Sequence, residues 1–191
     1  KEIKSRFKDY SLKQIPWCKE GFWLKGKAIG NTLEHFTGKI YMQEAASMIP
    51  PLVLNPKDEI ILDMCASPGS KTTQIASLMK NKGLIIANDI SIQRLKPLSL
   101  NLQRMGILNT IMTQMQGHWF KKEYFDKILV DAPCSGIGAI RKSPKTPGIW
   151  NPNMVKSLAG LQKRLIATAF SILKDKGTLV YSTCTLEPEE N

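Results

Sequence analysis

Two cysteines stand in short polar turns: Cys134 in DAPCSG (131–136) and Cys184 in YSTCT (181–185). Each follows an apolar run of the kind that forms a buried strand, 125–130 before the first and 178–181 before the second. A lone cysteine mostly acts as a small hydrophobe. Two at the ends of successive strands converge on one cleft, where a thiolate can act as a nucleophile. Thiolate reactivity follows local positive charge, and Lys71 is a candidate source of it. The other cysteines, Cys18 and Cys65, form no Cys-x-x-Cys pair, and there are two histidines, His35 and His118. This composition speaks against a zinc site, any other metal or a dense disulfide framework, and fits a reducing, cytoplasmic setting.

A second feature is the turn CASPGS (65–70), which follows the apolar run 60–65 and leads into helix-like KTTQIASLMKN. Lys71-Thr72 would suit a phosphate loop, but Cys65 and Ser70 occupy both glycine positions of G-x-x-x-x-G-K-[ST]. The stretch is not G-x-G-x-x-G either. What remains is a small-residue turn with an acid, Asp89, at the end of the next strand, 26 positions after Asp63. An acid near that spacing suits a pair of ribose hydroxyls, or it caps the helix that starts near Ser91. A ligand with adenosine and no pyrophosphate fits the turn best, and S-adenosyl-L-methionine is the commonest.

A nucleophilic thiol beside a methyl donor has a specific use. The C5 carbon of a pyrimidine is a poor nucleophile, and thiolate addition at C6 makes it enamine-like. An acid near N3 or N4 stabilises the adduct, and Asp131 is placed for that task. The base must leave its stack to enter such a pocket.

The elements that must position these residues alternate. The sequence predicts strands at 60–65, 84–87, 109–113, 125–130 and 178–181, and helices at 43–54 (cut or kinked by Pro50 and Pro51), 71–81, 91–105 and 152–173. Such alternation gives an α/β, Rossmann-like, mostly parallel sheet with helices on both faces, and ligands bind beyond the carboxyl ends of its strands. Asp63, Cys65, Asp89, Asp131, Cys134 and Cys184 all fall at that edge. Residues 1–38 read as a basic lead segment with little periodicity, and 39–191 as the catalytic domain. A seven-strand sheet needs more chain, so the C-terminal strands read as missing.

DMCASPGSKTTQIA (63–76), Asn88-Asp89, DAPCSG and YSTCT together resemble the Nop/Sun, or RsmB/RsmF-like, family of RNA cytosine-C5 methyltransferases. IYMQEAASMIPPLVL (40–54) resembles the family's lead-in helix, and the likeness covers about residues 15–191. The resemblance implies Cys184 as nucleophile on cytosine C6 and Cys134 as the group assisting adduct breakdown and product release. It also implies that Cys65, Ala66, Ser67, Pro68, Gly69, Ser70 and Lys71 wrap the methyl donor and that Asp89 holds its ribose. Asp131 would lie near both donor and base, with Lys71 lining the same pocket. Where the family commonly has Asp before Gly near the adenine, this sequence has Gln116-Gly117, and Ser70 replaces a common glycine.

The 191 residues carry 27 Lys and Arg against 16 Asp and Glu, a net charge of +11. Lys1, Lys4, Arg6, Lys8, Lys13, Lys19, Lys25 and Lys27 concentrate near the start, and Arg141, Lys142 and Lys145 form a second cluster. Trp17, Phe22, Trp23 and Trp150 lie among them, a mixture suited to phosphates and bases. RNA is the expected partner of a monomer, with tRNA favoured by the compact core and rRNA suggested by 136–153. No apolar run reaches the roughly 18 residues of a membrane span. Two rival readings are a DNA cytosine-C5 methyltransferase using Cys134, which leaves Cys184 without a role, and a catalytically silent RNA-binding homologue.

Overall fold

The computed structural model describes residues 5–8, 10–25, 29–121 and 125–191. Its centre is a five-stranded parallel sheet in the order β5-β4-β3-β6-β7. The strands are β3 (Ile60–Asp63), β4 (Leu84–Asp89), β5 (Thr110–Gln114), β6 (Phe125–Asp131) and β7 (Leu173–Ser182). Preceding them, β1 (Ser11–Gln14) and β2 (Phe22–Lys25) form a separate antiparallel pair. The main helices are α1 (Ile49–Leu54), α2 (Ser70–Leu78), α3 (Ile92–Arg104) and α4 (Pro152–Ser171).

Apolar runs explain the layers. Leu62, Ile128 and Val130 pack with Leu165, Ala169 and Ile172 of α4 and its end on one face. Ile61, Ile85 and Leu129 pack with Leu54 of α1 and Ile75 of α2 on the other. Strands covered on both faces read as continuous apolar runs, which is why 60–62 and 128–130 were legible. Among the described residues no helix is long and apolar enough to cross a membrane.

The expected elements are all present, with shifted ends. The helix expected at 43–54 begins with a single 3-10 turn, Ala46–Met48, and α1 starts at Ile49. Pro50 and Pro51 lack N–H groups, so they are accommodated in the first turn, where no helical bond is lost. The helix expected to run to 81 ends at Leu78, because Lys80 and Asn81 take left-handed φ of 55° and 57°. The helix expected to reach 173 ends at Ser171, and Leu173 already belongs to β7, paired with Phe125. The lead segment, which shows little periodicity in sequence, contains the β1–β2 hairpin. Its loop is held by Gln14, whose side-chain amide donates to the carbonyls of Cys18 (2.8 Å) and Gly21 (2.7 Å).

Two side-chain networks fix the parts that carry the site. Asn88, buried at the end of β4, donates to the carbonyls of Met64 (3.1 Å) and Met115 (2.9 Å) and accepts from Thr113 Oγ1 and the Met115 N–H. It staples the carboxyl ends of β3, β4 and β5. Each buried group left unpaired by its loss would cost roughly 1–3 kcal/mol. On the far side, α3 is a docking rail. Arg104 Nη1 donates to the carbonyls of His35 (2.6 Å) and Ile40 (3.2 Å), and Asn101 Nδ2 donates to Pro68 O (2.9 Å). Gly38 passes so close to α3 that a Cβ would lie 1.8 Å from Arg104 O.

Candidate active site

The carboxyl edge of the sheet opens into a narrow cleft. It is lined by the predicted 65–71 turn except Gly69, together with Asp63 and Asp131. Gly69 instead makes the bend possible: its φ is +101°, and a Cβ there would meet Leu98 Cδ1 at 2.8 Å. Asp89, buried at the end of β4, accepts from the Ser67 N–H (3.3 Å), from Arg94 Nε (3.1 Å) and from the Ser91 N–H (3.3 Å). Ser91 is itself the N-cap of α3 and the helix has no side-chain cap, so the last bond closes the turn ahead of the helix rather than capping it. Arg94 also donates to Ser67 O (3.2 Å), so it clamps the turn to β4. Gln116 lies beyond the end of β5, where its carbonyl accepts from the Trp119 N–H (2.8 Å).

Asp131 ends β6 and is held from two sides. Lys71 Nζ pairs with Oδ2 at 2.5 Å and Ser182 Oγ donates to Oδ1 at 2.8 Å. Asp63, fully buried, accepts from Thr72 Oγ1 (2.7 Å) on one oxygen, while the other has no hydrogen-bond partner. Burial therefore drives its carboxyl up to about 7, against the bond from Thr72. Cys65 is pushed up to about 12 by burial and by the negative charges of Asp63, Asp89 and Asp131, so it stays a neutral thiol.

The two turn cysteines meet. Their Sγ atoms are 3.1 Å apart, and the Cys184 N–H donates to Cys134 Sγ at 3.2 Å. The Cys184 carbonyl accepts from the Gly138 N–H (3.0 Å), and the hydroxyls of Ser135 and Thr185 bond at 2.7 Å. The Cys134 thiol is raised because it donates its proton to Cys184 and is partly desolvated. Cys184 is lowered to about 7 by that same bond, against burial and the Asp131 carboxylate, with a smaller contribution from the Lys71 cation. Cys184, the more exposed of the two, is thus the more readily ionised.

Around this edge the aromatic and basic residues gather. Trp17 and Trp23 pack edge to face (5.7 Å), with Lys13 Nζ 5.8 Å from the Trp23 ring. Trp17 Nε1 donates to Ala45 O (3.0 Å), and Arg141 Nη2 pairs with Glu44 (2.8 Å), so both predicted clusters meet at residues 44–45. Trp150 Nε1 donates to Glu187 (2.9 Å), just past the Cys184 turn. Lys1, Lys4 and Lys27 lie outside the described residues. Among the described residues no group of three His, Cys, Asp or Glu could hold a metal ion.

Residues 51–191 match the family model described as 16S rRNA methyltransferase RsmB/F. The chain belongs to this family. Residues 1–45 match the N-terminal domain of 16S rRNA methyltransferase RsmF. A ribosomal RNA small subunit methyltransferase F from Pectobacterium carotovorum subsp. carotovorum is 48% identical over 193 residues, 95% of this chain and 40% of the relative. The chain thus spans about two fifths of that curated relative's length. Among solved structures, a methyltransferase homolog protein from Pyrococcus horikoshii superposes with a TM-score of 0.89 at 44% identity, covering 100% of this chain and 62% of the other. NSun6 from the same organism, crystallised with SFG, gives 0.81 at 37% identity, covering 91% of this chain and 47% of the other.

As a member of the RsmB/F family the chain has the Rossmann-like fold of S-adenosylmethionine-dependent methyltransferases. Four residues at the site of this RsmB/F chain escape sequence reasoning: Asn88 as a staple, Arg94, Ser182 and Glu190. Asn88 and Ser182 lie inside quoted motifs without a role being read from them, and Arg94 left a signal of its own, a cation in the first turn of α3 beyond a strand-ending acid. Asp63 gives a pH prediction for the same family member. Its carboxyl titrates near 7 when folded against an ordinary 3.8. Between about pH 4 and pH 7 the folded chain holds a proton that the unfolded chain releases, so this group's contribution to stability falls as pH rises through that window. The loss is on the order of a few kcal/mol. Replacing Asp63 by Asn removes the slope, so the Tm of wild type minus that of the variant falls from pH 4 to pH 7. A difference that does not change with pH would refute it.

Proposed function

We propose that this chain is the catalytic core of an RNA cytosine-C5 methyltransferase that takes its methyl group from S-adenosyl-L-methionine and acts on small-subunit ribosomal RNA. The observation that carries the proposal is the cysteine pair: a thiolate-prone Cys184 beside a proton-holding Cys134, within electrostatic reach of Asp131 and Lys71, which line the cleft. Ribosomal RNA displaces tRNA as the first choice because the relatives are named for the small ribosomal subunit.

The cleft suits the methyl donor. Asp63 keeps a buried acceptor oxygen unmet, and Gly69 lets the turn curl where a side chain would clash. Residues 65–71 would hold the methionine and ribose portions, Asp89 the ribose hydroxyls and Gln116 the adenine amino group. When bound, the donor supplies an electrophilic methyl group.

The chain's own residues do the rest. The Cys184 thiolate adds to C6, and the electron pair of the C5–C6 bond becomes available at C5. Asp131, oriented by Lys71 and Ser182, accepts from the N4 amino group and so orients the base, and the Lys71 cation beside it offsets the negative charge that thiolate addition develops on the ring. After C5 has taken up the methyl group, the C5 proton passes to solvent, the C5–H electron pair restores the C5–C6 double bond, and the C6–S bond breaks to release the Cys184 thiolate. Cys134, within hydrogen-bond reach of Cys184, assists this second half. Bases reach the cleft by leaving their stack, and Trp17, Trp23 and the neighbouring cations offer surfaces for ring and phosphate.

The test is methyl transfer to purified small-subunit RNA and to tRNA, with the product nucleosides separated by mass spectrometry. 5-Methylcytidine arising in ribosomal RNA is the expected result. Binding of RNA and donor without any methylated nucleoside would support the silent homologue instead.

A further inference from the structure

Glu190 is an unusual residue for its place. The acidic run EPEEN follows the Cys184 turn and reads as a solvated stretch, yet Glu190 is 2% exposed. A buried carboxylate is costly unless its oxygens are satisfied. Here they are met by N–H donors: the Ser135 N–H reaches both oxygens (3.0 and 3.3 Å), and Gln162 Nε2 reaches one at 2.8 Å. The same Gln162 amide donates to Pro133 O (2.9 Å), on the other side of Cys134. The Tyr181 hydroxyl donates to the Glu190 carbonyl at 2.9 Å.

We propose that Glu190 is the positioning residue of the cysteine pair: its buried carboxylate, backed by Gln162 of α4, fixes the Pro133–Cys134–Ser135 turn against the turn that carries Cys184. The argument is one of topology and geometry. Cys134 is flanked by two backbone groups, Pro133 O and the Ser135 N–H, and both end on the Glu190–Gln162 pair. Glu190 itself lies six residues past Cys184 and is tied to β7 through Tyr181. One side chain therefore joins both cysteine-bearing turns to the long helix behind them. The contact it preserves, 3.1 Å between the sulfurs, is short enough to be lost with a small displacement of either turn. Glu190 touches no reacting atom and acts through Cys134.

This inference rests on the reading of Cys184 as nucleophile, but its test needs neither RNA nor methyl donor. The rate of iodoacetamide alkylation at Cys184, located by peptide mapping, is measured against pH in the full chain. Wild type should show a midpoint near 7, set by the bond from Cys134. Glu190→Gln places an amide where two acceptor oxygens faced N–H donors, and Gln162→Met deletes the backing donor. In both, the midpoint should rise by about one unit toward the ordinary thiol value of about 8.5, a tenfold loss of thiolate at pH 6. Should Glu190→Gln fail to fold, Gln162→Met decides. A folded variant whose midpoint stays at the wild-type value overturns the proposal, because a merely structural role would lower Tm and leave the thiol unchanged. Wild type that alkylates with a midpoint near 7 yet methylates no RNA would sink the functional reading while leaving the positioning role standing.

Discussion

Replacing Cys184 by Ala should abolish RNA methylation and covalent capture, whereas replacing Cys134 by Ala should leave RNA bound covalently to the protein. The asymmetry follows from where the proton sits. Cys134 donates to Cys184, which lowers Cys184 to about 7 against burial and the Asp131 carboxylate, with a smaller contribution from the Lys71 cation. Under the proposed mechanism Cys184 supplies the attacking thiolate at neutral pH, and without it no adduct should form. The loss should reach at least about 10³-fold, the scale on which removal of a positioned catalytic group falls. Without Cys134 the first half still runs, but the group that assists expulsion is gone, so the adduct accumulates. Its formation should also shift to higher pH, because Cys184 loses the hydrogen bond that lowers it. Denaturing gels with labelled RNA read both outcomes. If Cys134→Ala abolished the adduct and Cys184→Ala preserved it, the nucleophile would be Cys134, as in the DNA-type reading.

The second large effect belongs to Asp131. Its carboxylate links Lys71 to Ser182 and lies on the wall of the cleft. Asp131→Ala should lower kcat by roughly 10²–10⁴-fold, the range for a positioned acid or electrostatic group. It should also destabilise, since the Lys71 side chain is only 12% exposed and would lose its counter-charge. Asp131 is about a third exposed, so the cost should fall below the roughly 3–5 kcal/mol of a broken fully buried pair, at about 1–3 kcal/mol. The double replacement Lys71→Met with Asp131→Leu removes the orphaned charge. It should regain most of the Tm and none of the activity. Recovery of both together would mean that the pair serves folding alone.

Much of this architecture shows in the sequence because it rests on local or periodic signals. The apolar runs 60–62 and 128–130, the glycine-bearing turn 65–70 and the two cysteine turns each have a pattern within a few residues. Their meeting at one edge follows from the rule that parallel strands deliver their carboxyl ends together. The hidden parts are contacts between a side chain and backbone groups far away in the chain. Asn88 bonds Met64 and Met115, more than twenty residues distant on either side. Gln14 holds its hairpin loop with a side-chain amide, in a loop that carries no Asn-Gly or Asp-Gly signal. Glu190 looks like one more surface acid among three, and only burial against Ser135 and Gln162 reveals otherwise.

Helix α3 has a further consequence through what hangs from its two sides. Its Arg104 grips the 35–40 stretch by two carbonyls, and its Asn101, three residues earlier, grips the carbonyl of Pro68 in the cleft. The 35–40 stretch leads directly to Glu44 and Ala45, where Arg141 and Trp17 dock. The stretch that leads to the aromatic and basic rim and the turn lining the cleft are therefore bonded to one and the same helix. Any free energy exchanged between rim and cleft through this rail is reciprocal, so an occupant of one that tightens the other must itself be held more tightly in return. Gly38 sets how closely the 35–40 stretch lies on α3, because a Cβ there would stand 1.8 Å from Arg104 O.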